Sequence, residues 1–342
     1  MKRVLIIGLA LFLAAGGFFG WRLYKTVFGP GPRFDNGDRI LLIPTGSTYE
    51  QVVESLKQSG VVEDEKTFDL LAKRKKYASK VKPGRYRLPS GTSLNDLLNK
   101  LRSGEQEPVR ITFTNIRTLP QLAGQVSKYI EADSLALIES MRDQATIDRL
   151  GFRSETMMCL FVPNTYEFWW TTKPEEFLER MSKEYKRYWT EDRKAKAKRI
   201  ELSQSEVSTL ASIVQAETAK PEEAPIIAAV YLNRLRIGMA LQADPTLKFA
   251  LGMDSLTRIL TKDLEIDSPY NTYTHVGLPP GPINMPEPRY IDAVLNAQKN
   301  DYLYFCARET LDGYSNFAKT YEQHLVNARR YQRALNERGI YR

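Results

Sequence analysis

The stretch LASIVQAETAK, Leu210–Lys220, predicts a buried helix that ends in a carboxylate. One face of a helix is formed by residues at i, i+3, i+4 and i+7. Those positions are held by Leu210, Ile213, Val214 and Glu217. A capping box, Ser203–Glu206, predicts where the helix begins, and Pro221 requires that it end beforehand. We therefore expect a core helix that carries Glu217 at its C-terminal end.

The position of Glu217 makes it a candidate general acid. Burial disfavours its charged form, and the carboxyl end of a helix disfavours negative charge. No basic residue stands at i−3 or i−4, so nothing on the same helix face offsets these effects. The pKa of Glu217 should therefore be raised toward neutral pH, as acid catalysis requires. The structural alternative is a glutamate that pairs with a cation elsewhere in the fold, such as Arg234.

The surrounding pattern predicts an α+β fold that carries the candidate acid on a helix. Further periodic or charged segments predict helices at Glu175–Arg199, Glu222–Ile237 and Tyr321–Arg338. The basic cluster within the first of these is typical of a solvated helix face. Short strand-like runs such as Tyr302–Ala307 add β structure. We assign residues 113–342 to this mixed α/β domain.

An uncharged run near the N-terminus, Val4–Trp21, fills 18 positions with VLIIGLALFLAAGGFFGW. Its length is close to the lower limit for a membrane-spanning helix. A cleaved signal peptide is the alternative, because AAGG supplies small residues near the end of the run. We favour an uncleaved anchor, since the run is long for a signal peptide and continues past those small residues. This predicts a cytoplasmic tip and anchor at residues 1–25, a Gly/Pro-rich linker at 26–38, and an exported remainder.

Two segments 45 residues apart share one pattern. Pro44–Thr48 (PTGST) and Pro89–Ser93 (PSGTS) each follow a short apolar run and precede an amphipathic helical pattern. A Pro-x-Gly turn with Ser or Thr as the N-cap explains both, and common turn chemistry recurring by chance is the alternative. A fainter third copy begins near Thr118. We interpret residues 39–112 as a small βα module, which loosely resembles the LysM domains that bind N-acetylglucosamine polymers.

The charge balance of the chain argues against a nucleic-acid binder. The net charge of +8 arises from interspersed residues of both signs and not from a concentrated basic stripe. A net positive charge is compatible with a protein that acts beside an anionic membrane or polymer.

Cys159 and Cys306 lie in apolar contexts, which favours two buried free thiols over a single disulfide. The sequence has neither a Cys/His cluster nor a phosphate-binding glycine loop, so we expect no metal and no cofactor.

Two long strings that follow Glu217 supply the candidate binding residues. They are NRLRIGMALQADPT, Asn233–Thr246, and SPYNTYTHVGLPPGPI, Ser268–Ile283. Aromatic rings stack on sugar rings while amides and hydroxyls bond to sugar hydroxyls, and the prolines restrict the second string. The substrate-binding candidates are Gln242, Asp244, Asn271 and Tyr273. His275 is a weaker candidate, against a surface histidine, and for the aspartate an Asx cap is a sufficient structural explanation.

The strings ASIVQAET, NRLRIGMALQADPT and YNTYTHVGLPPGPI resemble the hallmark motifs of the YceG-like (MltG) family of endolytic murein transglycosylases. The resemblance covers most of the chain and places the family's catalytic glutamate on Glu217. It implies a single-pass anchor in the cell inner membrane, a LysM-like module and an extracytoplasmic catalytic domain. It also implies peptidoglycan glycan strands as the substrate, with peptidoglycan synthases as candidate partners. One departure is Gln215, where many members carry an acidic residue.

A lytic transglycosylase fits the presence of one well-placed carboxylate. Ordinary glycosidases need two carboxylates, whereas this chemistry uses a hydroxyl of the substrate as the nucleophile. Glu217 would protonate the oxygen between N-acetylmuramic acid and N-acetylglucosamine, then accept the proton of the muramyl C6 hydroxyl as that oxygen closes on C1. The product end is a 1,6-anhydro sugar. Two alternatives stay open: a non-catalytic cell-wall-binding scaffold, and a muramidase that uses water and a second carboxylate.

Overall fold

The computed structural model describes residues 2–35, 37–114, 116–252 and 259–340, with side chains from residue 6 onward in the first helix. Contacts divide the chain into two units. The first unit holds the described residues within 1–111, 129–132 and 167–173, and the second holds the other described residues. Helices are combined with two-stranded sheets in the described residues, which confirms the α+β class. The predicted domain limits themselves stay a prediction.

The apolar run near the N-terminus forms one helix, α1 (Lys2–Phe28). Its segment Ile6–Phe28 is long and apolar enough to cross a membrane, and no residue of its 18-residue apolar window is buried within the protein. The ammonium of Lys25 lies 5.3 Å from the ring centroid of Trp21, so basic and aromatic side chains meet at the C-terminal end of the helix. That pairing is typical of a membrane–water interface. The helix also includes Thr26–Phe28, so the predicted start of the linker at residue 26 is wrong by three residues.

The segment after α1 is packed against the first unit. The amide of Gly31 donates to the carbonyl of Gly91 at 3.1 Å, and the amide of Gly91 donates to the carbonyl of Pro32 at 2.9 Å. A Cβ on Gly31 would lie 2.1 Å from the carbonyl oxygen of Thr92, so this close approach requires glycine. The Gly/Pro-rich segment is therefore a docked connection and not a free tether.

The first unit continues with a strand, two helices, a strand and a helix. These are β1 (Arg39–Ile43), α2 (Tyr49–Gln58), α3 (Glu65–Arg74), β2 (Gly84–Leu88) and α4 (Leu94–Ser103). The strands pair antiparallel, from Arg39 opposite Leu88 to Ile43 opposite Gly84. Thr48 and Ser93 cap α2 and α4, so the two predicted strand–turn–cap–helix copies form. The apolar faces of both copies meet in one core.

The third copy of the pattern also forms a strand and a capped helix. They are β3 (Val109–Thr112) and α5 (Leu119–Val126), whose N-cap is Thr118. The following elements are α6 (Ser134–Arg142), α7 (Gln144–Leu150), a 3₁₀ helix (Ser154–Leu160) and β4 (Thr165–Phe168). β3 and β4 form the second two-stranded sheet.

The prediction of one long helix over Glu175–Arg199 is wrong. Two helices, α8 (Pro174–Tyr188) and α9 (Glu191–Arg199), take its place. Trp189 is fully buried between them, and the side chain of Thr190 accepts from the amide of Arg193 as the N-cap of α9. A buried tryptophan and a new cap stop the first helix and start another. The charged face of α9 is solvated, as predicted, with the ion pairs Lys194–Glu191 and Lys196–Asp192.

The helix that carries Glu217 is α10 (Gln204–Glu217), and it lies in the middle of the second unit. Its predicted capping box forms between Ser203 and Glu206. All residues of Val207–Val214 are buried, so the apolar stripe seen in the sequence covers only part of the packed surface. The buried hydroxyls on the other faces are satisfied; for example, Ser212 donates to the carbonyl of Thr209 at 2.7 Å.

The remaining elements pack around α10 or follow it. They are a 3₁₀ turn (Pro221–Glu223), α11 (Ala224–Arg236), α12 (Asp244–Ala250), a 3₁₀ helix (Thr261–Glu265), α13 (Pro288–Leu295), β5 (Tyr304–Ala307), β6 (Ser315–Ala318) and α14 (Tyr321–Glu337). Direct packing on α10 comes from α11, α12 and α13. β5 and β6 form an antiparallel hairpin. The thiols are free, with Cys159 buried and Cys306 half-buried.

Candidate active site

Glu217 is the last residue of α10 and is only partly exposed. Burial raises the pKa of its carboxyl from an ordinary 4.5 to about 7. The hydroxyl of Tyr231 on α11 donates to Oε1 of Glu217 at 2.8 Å, which opposes part of that rise. At neutral pH the carboxyl group is therefore divided between its acid and its base form.

Tyr231 is a buried neighbour of the Glu217 carboxyl group. It is 1% exposed, and its ring meets the ring of Phe305 on β5 edge to face with centroids 6.0 Å apart. Tyr231 therefore contacts Glu217 through its hydroxyl and the β5–β6 hairpin through its ring. Burial and the neighbouring carboxylate raise the pKa of the Tyr231 hydroxyl well above its ordinary value, so it stays a donor.

The structural alternative for Glu217, an ion pair with Arg234, does not form among the described residues. Arg234 is buried, and its guanidinium donates to the carbonyl oxygens of Leu303 and Leu241 at 2.7 and 2.6 Å. Its positive charge still lowers the pKa of Glu217, but less than burial raises it. Arg234 thus joins α11 to the segment before α12 and to the segment before β5.

The Asx cap expected for Asp244 is not present. Ala243 is the N-cap of α12 and makes no side-chain capping bond, while Asp244 is the first helical residue. The side chain of Asp244 instead accepts a hydrogen bond of 2.5 Å from the hydroxyl of Tyr273. The charge of Asp244 acts on Glu217 and contributes to its raised pKa. Two candidates that lie 29 residues apart in the chain are therefore paired within electrostatic range of the acid.

The other candidates occupy different positions. Gln242 is exposed, has a φ of 50°, and donates its amide to the carbonyl of Thr272 at 2.9 Å. Asn271 is fully buried, and its side-chain amide donates to the carbonyls of Leu264 and Ile266. These bonds tie Asn271 to the segment around the 3₁₀ helix Thr261–Glu265, and its role in substrate binding stays a prediction.

His275 lies away from Glu217. It is exposed and lines a separate cavity of 1170 Å³, which the start of α10 also borders. The GLPPGP loop forms one wall of that cavity. A Cβ on Gly281 would lie 1.9 Å from the carbonyl oxygen of Glu155, so the loop sits directly on the 3₁₀ helix. The loop is therefore restricted both by its prolines and by its packing on the 3₁₀ helix.

Three further residues of this site were not predicted from the sequence: Tyr231, Thr272 and Lys248. Tyr231 lies on the helix that follows α10, and the spacing of residues within one helix does not predict a contact with another helix. The hydroxyl of Thr272 accepts from the amide of Ala243 at 3.0 Å and so fastens the two candidate strings together. Lys248 on α12 lies close enough for its charge to act on Glu217. Among the described residues there is no group of three His, Cys, Asp or Glu side chains that could hold a metal ion.

These features define an α+β protein built around a helix that ends in a hydrogen-bonded carboxyl group with a raised pKa. Residues 41–330 match the model of the YceG-like family, and the chain belongs to that family. It is 32% identical to the endolytic murein transglycosylase of Bacillus subtilis strain 168 over 343 residues, covering 95% of this chain and 93% of that one.

Other relatives agree with this assignment. The endolytic murein transglycosylase of Streptococcus pneumoniae D39 is 31% identical over 362 residues, which cover 94% of this chain. The aligned region spans 64% of that relative's own length. A crystal structure at 2.6 Å of a yceG-like protein from Listeria monocytogenes superposes with a TM-score of 0.58 at 27% identity. It covers 85% of this chain and 99% of the Listeria chain.

Proposed function

We propose that this protein is a lytic murein transglycosylase that cuts glycan strands of peptidoglycan internally and leaves 1,6-anhydro-N-acetylmuramic acid ends. Its relatives carry the name endolytic murein transglycosylase. The observation that supports the chemistry best is Glu217, whose pKa lies at about 7 beside a buried hydroxyl donor. A single group with that pKa can give a proton and take one back at neutral pH.

The first step is protonation of the leaving oxygen. Protonated Glu217 gives its proton to the oxygen that joins C1 of N-acetylmuramic acid to N-acetylglucosamine. The bond between C1 and that oxygen breaks, and the bonding pair leaves with the oxygen as the new hydroxyl of N-acetylglucosamine. C1 becomes electron-deficient, and Glu217 becomes a carboxylate. The positive charge of Arg234 and the donor hydroxyl of Tyr231 both favour that carboxylate.

The second step closes the ring. The C6 hydroxyl oxygen of the same muramyl residue bonds to C1, and its proton passes to the carboxylate of Glu217. The acid is regenerated, and no water is consumed. Because the attacking group belongs to the same sugar as C1, proximity replaces an enzyme nucleophile. Asp244 is therefore not required as a second catalytic carboxylate.

We further propose a single-pass membrane protein with its catalytic unit on the extracytoplasmic side. The exposed apolar helix Ile6–Phe28 supports the anchor. The repeated βα units of residues 39–112 support a LysM-like role in holding glycan. Peptidoglycan synthases are candidate partners, because cleavage of strands beside the membrane acts on the strands that such enzymes produce.

The experiment is product analysis of intact peptidoglycan treated with the full-length protein in detergent. We expect 1,6-anhydro ends at internal positions from the parent protein and none from Glu217→Gln. Binding of glycan without cleavage by either protein would instead favour the scaffold. Reducing ends would favour the muramidase.

A further inference from the structure

A cavity of 770 Å³ lies at the C-terminal end of α1, within the first unit. Part of its wall is formed by Phe28, Gly29 and Pro30, where the apolar helix ends. The remaining wall comes from Glu105, from α4 and from the turn that precedes α4. Sites for small molecules usually measure about 300–1,000 Å³, so the cavity is large enough for a polar head group.

The end of α1 is fixed against α4. The two helices pack together, and Val27 in the last turn of α1 is buried. The hydrogen bonds of Gly91 with Gly31 and Pro32 hold the segment that follows the helix. The cavity therefore keeps its place beside the last turn of the apolar helix.

Aromatic side chains occupy the last two turns of α1. Trp21 and Tyr24 are exposed, and the ring centroids of Tyr24 and Phe28 lie 5.1 Å apart. Tryptophan and tyrosine are enriched where a membrane meets water, at the level of the lipid head groups. A membrane that α1 crosses therefore places its head groups beside this cavity.

The lining of the cavity carries charges of both signs. Lys100 and Arg102 are its basic residues, and Asp96 and Glu105 are its acidic ones. Within the part of the chain that the structure describes, neither Lys100 nor Arg102 forms an ion pair. Asp96 instead accepts from the hydroxyl of Ser93 at 2.7 Å. The two cations are therefore not bound to the carboxylates that share their cavity.

Two further lysines give the positive charge the larger share. The ammonium of Lys75 donates to Oδ1 of Asn99 at 2.6 Å, and that of Lys82 donates to a backbone carbonyl of the wall at 2.9 Å. Burial lowers the pKa of Lys75, and the charge of Arg102 lowers it further, by more than the charge of Asp96 raises it. The basic side chains thus lie close enough to repel one another, and a bound anion would relieve that repulsion.

The donors at the cavity suit a phosphate group. The guanidinium of Arg102 can donate two parallel hydrogen bonds to phosphate oxygens, and the ammonium of Lys100 adds a compact charge. Lys75 occupies Oδ1 of Asn99, which leaves the Nδ2 amide of Asn99 as a further donor. A phosphate diester carries one negative charge and two unesterified oxygens that accept such bonds.

We propose that this cavity binds the phosphate of an anionic phospholipid head group and that Lys100 and Arg102 are its charged contacts. The inference rests on the membrane anchor of the proposed function, to which it adds a lipid site. A lipid bound there would join α4 to the membrane surface through a second contact beside α1.

The experiment titrates phosphatidylglycerol into the full-length protein in a neutral detergent, with bound lipids counted by native mass spectrometry. One phosphatidylglycerol should bind more tightly than the zwitterionic phosphatidylcholine. Lys100→Gln and Arg102→Gln should each weaken that binding about 5-fold, and the double variant about 25-fold, as expected for basic side chains that face anionic lipid. Thermal unfolding verifies that each variant is folded.

The matched control is the double variant Lys198→Gln and Arg199→Gln. It removes the same two charges from the last turn of another helix, α9, where both side chains are exposed. It should bind phosphatidylglycerol as the parent protein does. Equal affinity of the parent and of the Lys100/Arg102 double variant would overturn the inference. Displacement of the lipid by an equimolar amount of inorganic phosphate would also overturn it, because the site would then be one for free phosphate.

Two further measurements separate this site from the proposals on which it rests. Extraction of the parent protein from phosphatidylcholine vesicles by alkaline carbonate would contradict the membrane anchor itself. Cleavage of peptidoglycan in detergent should be the same for the parent and the Lys100/Arg102 double variant, because Glu217 belongs to the second unit. A matching loss of cleavage in that variant would contradict a role confined to lipid binding.

Discussion

The hydroxyl of Tyr231 donates to Oε1 of Glu217 at 2.8 Å, and this bond leaves Oε2 as the oxygen that carries the transferable proton. In a neutral carboxyl group, one oxygen accepts as a carbonyl and the other donates as a hydroxyl. Since Tyr231 occupies Oε1 as a donor, the proton belongs on Oε2. The same oxygen can then receive the proton of the C6 hydroxyl. In the proposed reaction, Tyr231 is thus a positioning residue for both steps.

Tyr231→Phe should lower kcat and raise the pKa of Glu217. The lost hydrogen bond stabilises the carboxylate, so its removal leaves burial less opposed. A hydrogen bond to a charged group contributes about 1.5–3 kcal/mol, which corresponds to a loss of roughly 10- to 100-fold in kcat. The decrease of kcat at high pH (the basic limb of the pH profile) should move to higher pH, because Glu217 stays protonated longer. Steady-state kinetics across pH measures both effects.

The matched control for that variant is Tyr166→Phe. Tyr166 is also buried, but its hydroxyl donates to the backbone carbonyl of Val162 at 2.6 Å. This control should cost stability without moving the pH profile. If both variants lowered kcat with unchanged limbs, Tyr231 would have only a packing role.

Glu217→Gln should stabilise the protein at alkaline pH. The folded pKa of about 7 exceeds the ordinary value of 4.5, so between these values the folded state binds a proton that the unfolded state has released. The free energy of unfolding therefore falls as pH rises through this window, by on the order of 3 kcal/mol in total. Glutamine avoids that loss. Urea unfolding at pH values on both sides of the window measures the difference between the two proteins.

A gain in stability that is absent below the window and full above it is the expected pattern. A gain that is the same at every pH would mean that Glu217 titrates normally in the folded protein. That outcome would remove the physical basis for its role as a neutral acid.

Asp244→Asn should lower the pKa of Glu217 and keep the anhydro product. The negative charge of Asp244 helps to raise that pKa, and asparagine can still accept from Tyr273. The basic limb of the kcat profile should therefore move to lower pH. Product analysis accompanies the kinetics. Complete loss of activity at all pH values would indicate that Asp244 is a second catalytic carboxylate, as in a hydrolase.

Gly31→Ala should lower the free energy of unfolding by about 1–3 kcal/mol, because the added Cβ clashes with the carbonyl oxygen of Thr92. Gly124→Ala is the matched control. Gly124 lies within α5, and its added Cβ would meet nothing within 4 Å. That control should stabilise the protein slightly, since alanine favours helices. Equal stability of both variants would show that the segment after α1 does not stay docked in solution.

The elements that sequence reasoning predicted well are those that local chemistry determines. The capping box at Ser203 and the periodic apolar residues of α10 were sufficient to place Glu217 at a helix end. The raised pKa followed from the same pattern. The start of α9 could also have been predicted, because Thr190 is followed by acidic residues as helix N-caps often are. It was overlooked because the charged residues of Glu175–Arg199 were interpreted as one helix.

The remaining features depend on contacts between distant parts of the chain. Asp244 lay in a turn-like string, and only the fold shows that Tyr273 occupies its carboxylate. Asn271 had the residue type of a sugar ligand, yet its burial directs its amide to backbone carbonyls. Tyr231 had no signal at all, because its role depends on the packing of α11 against α10. Tertiary packing, not local propensity, assigns these roles.

The most direct test of the account is cleavage of intact peptidoglycan in water labelled with oxygen-18. Ring closure by the C6 hydroxyl consumes no water, so the new muramyl ends should be anhydro ends that carry no label. The Glu217→Gln protein should release none of them. New reducing ends that each contain one labelled oxygen would contradict the account, because they would show that water and not the substrate hydroxyl attacks C1.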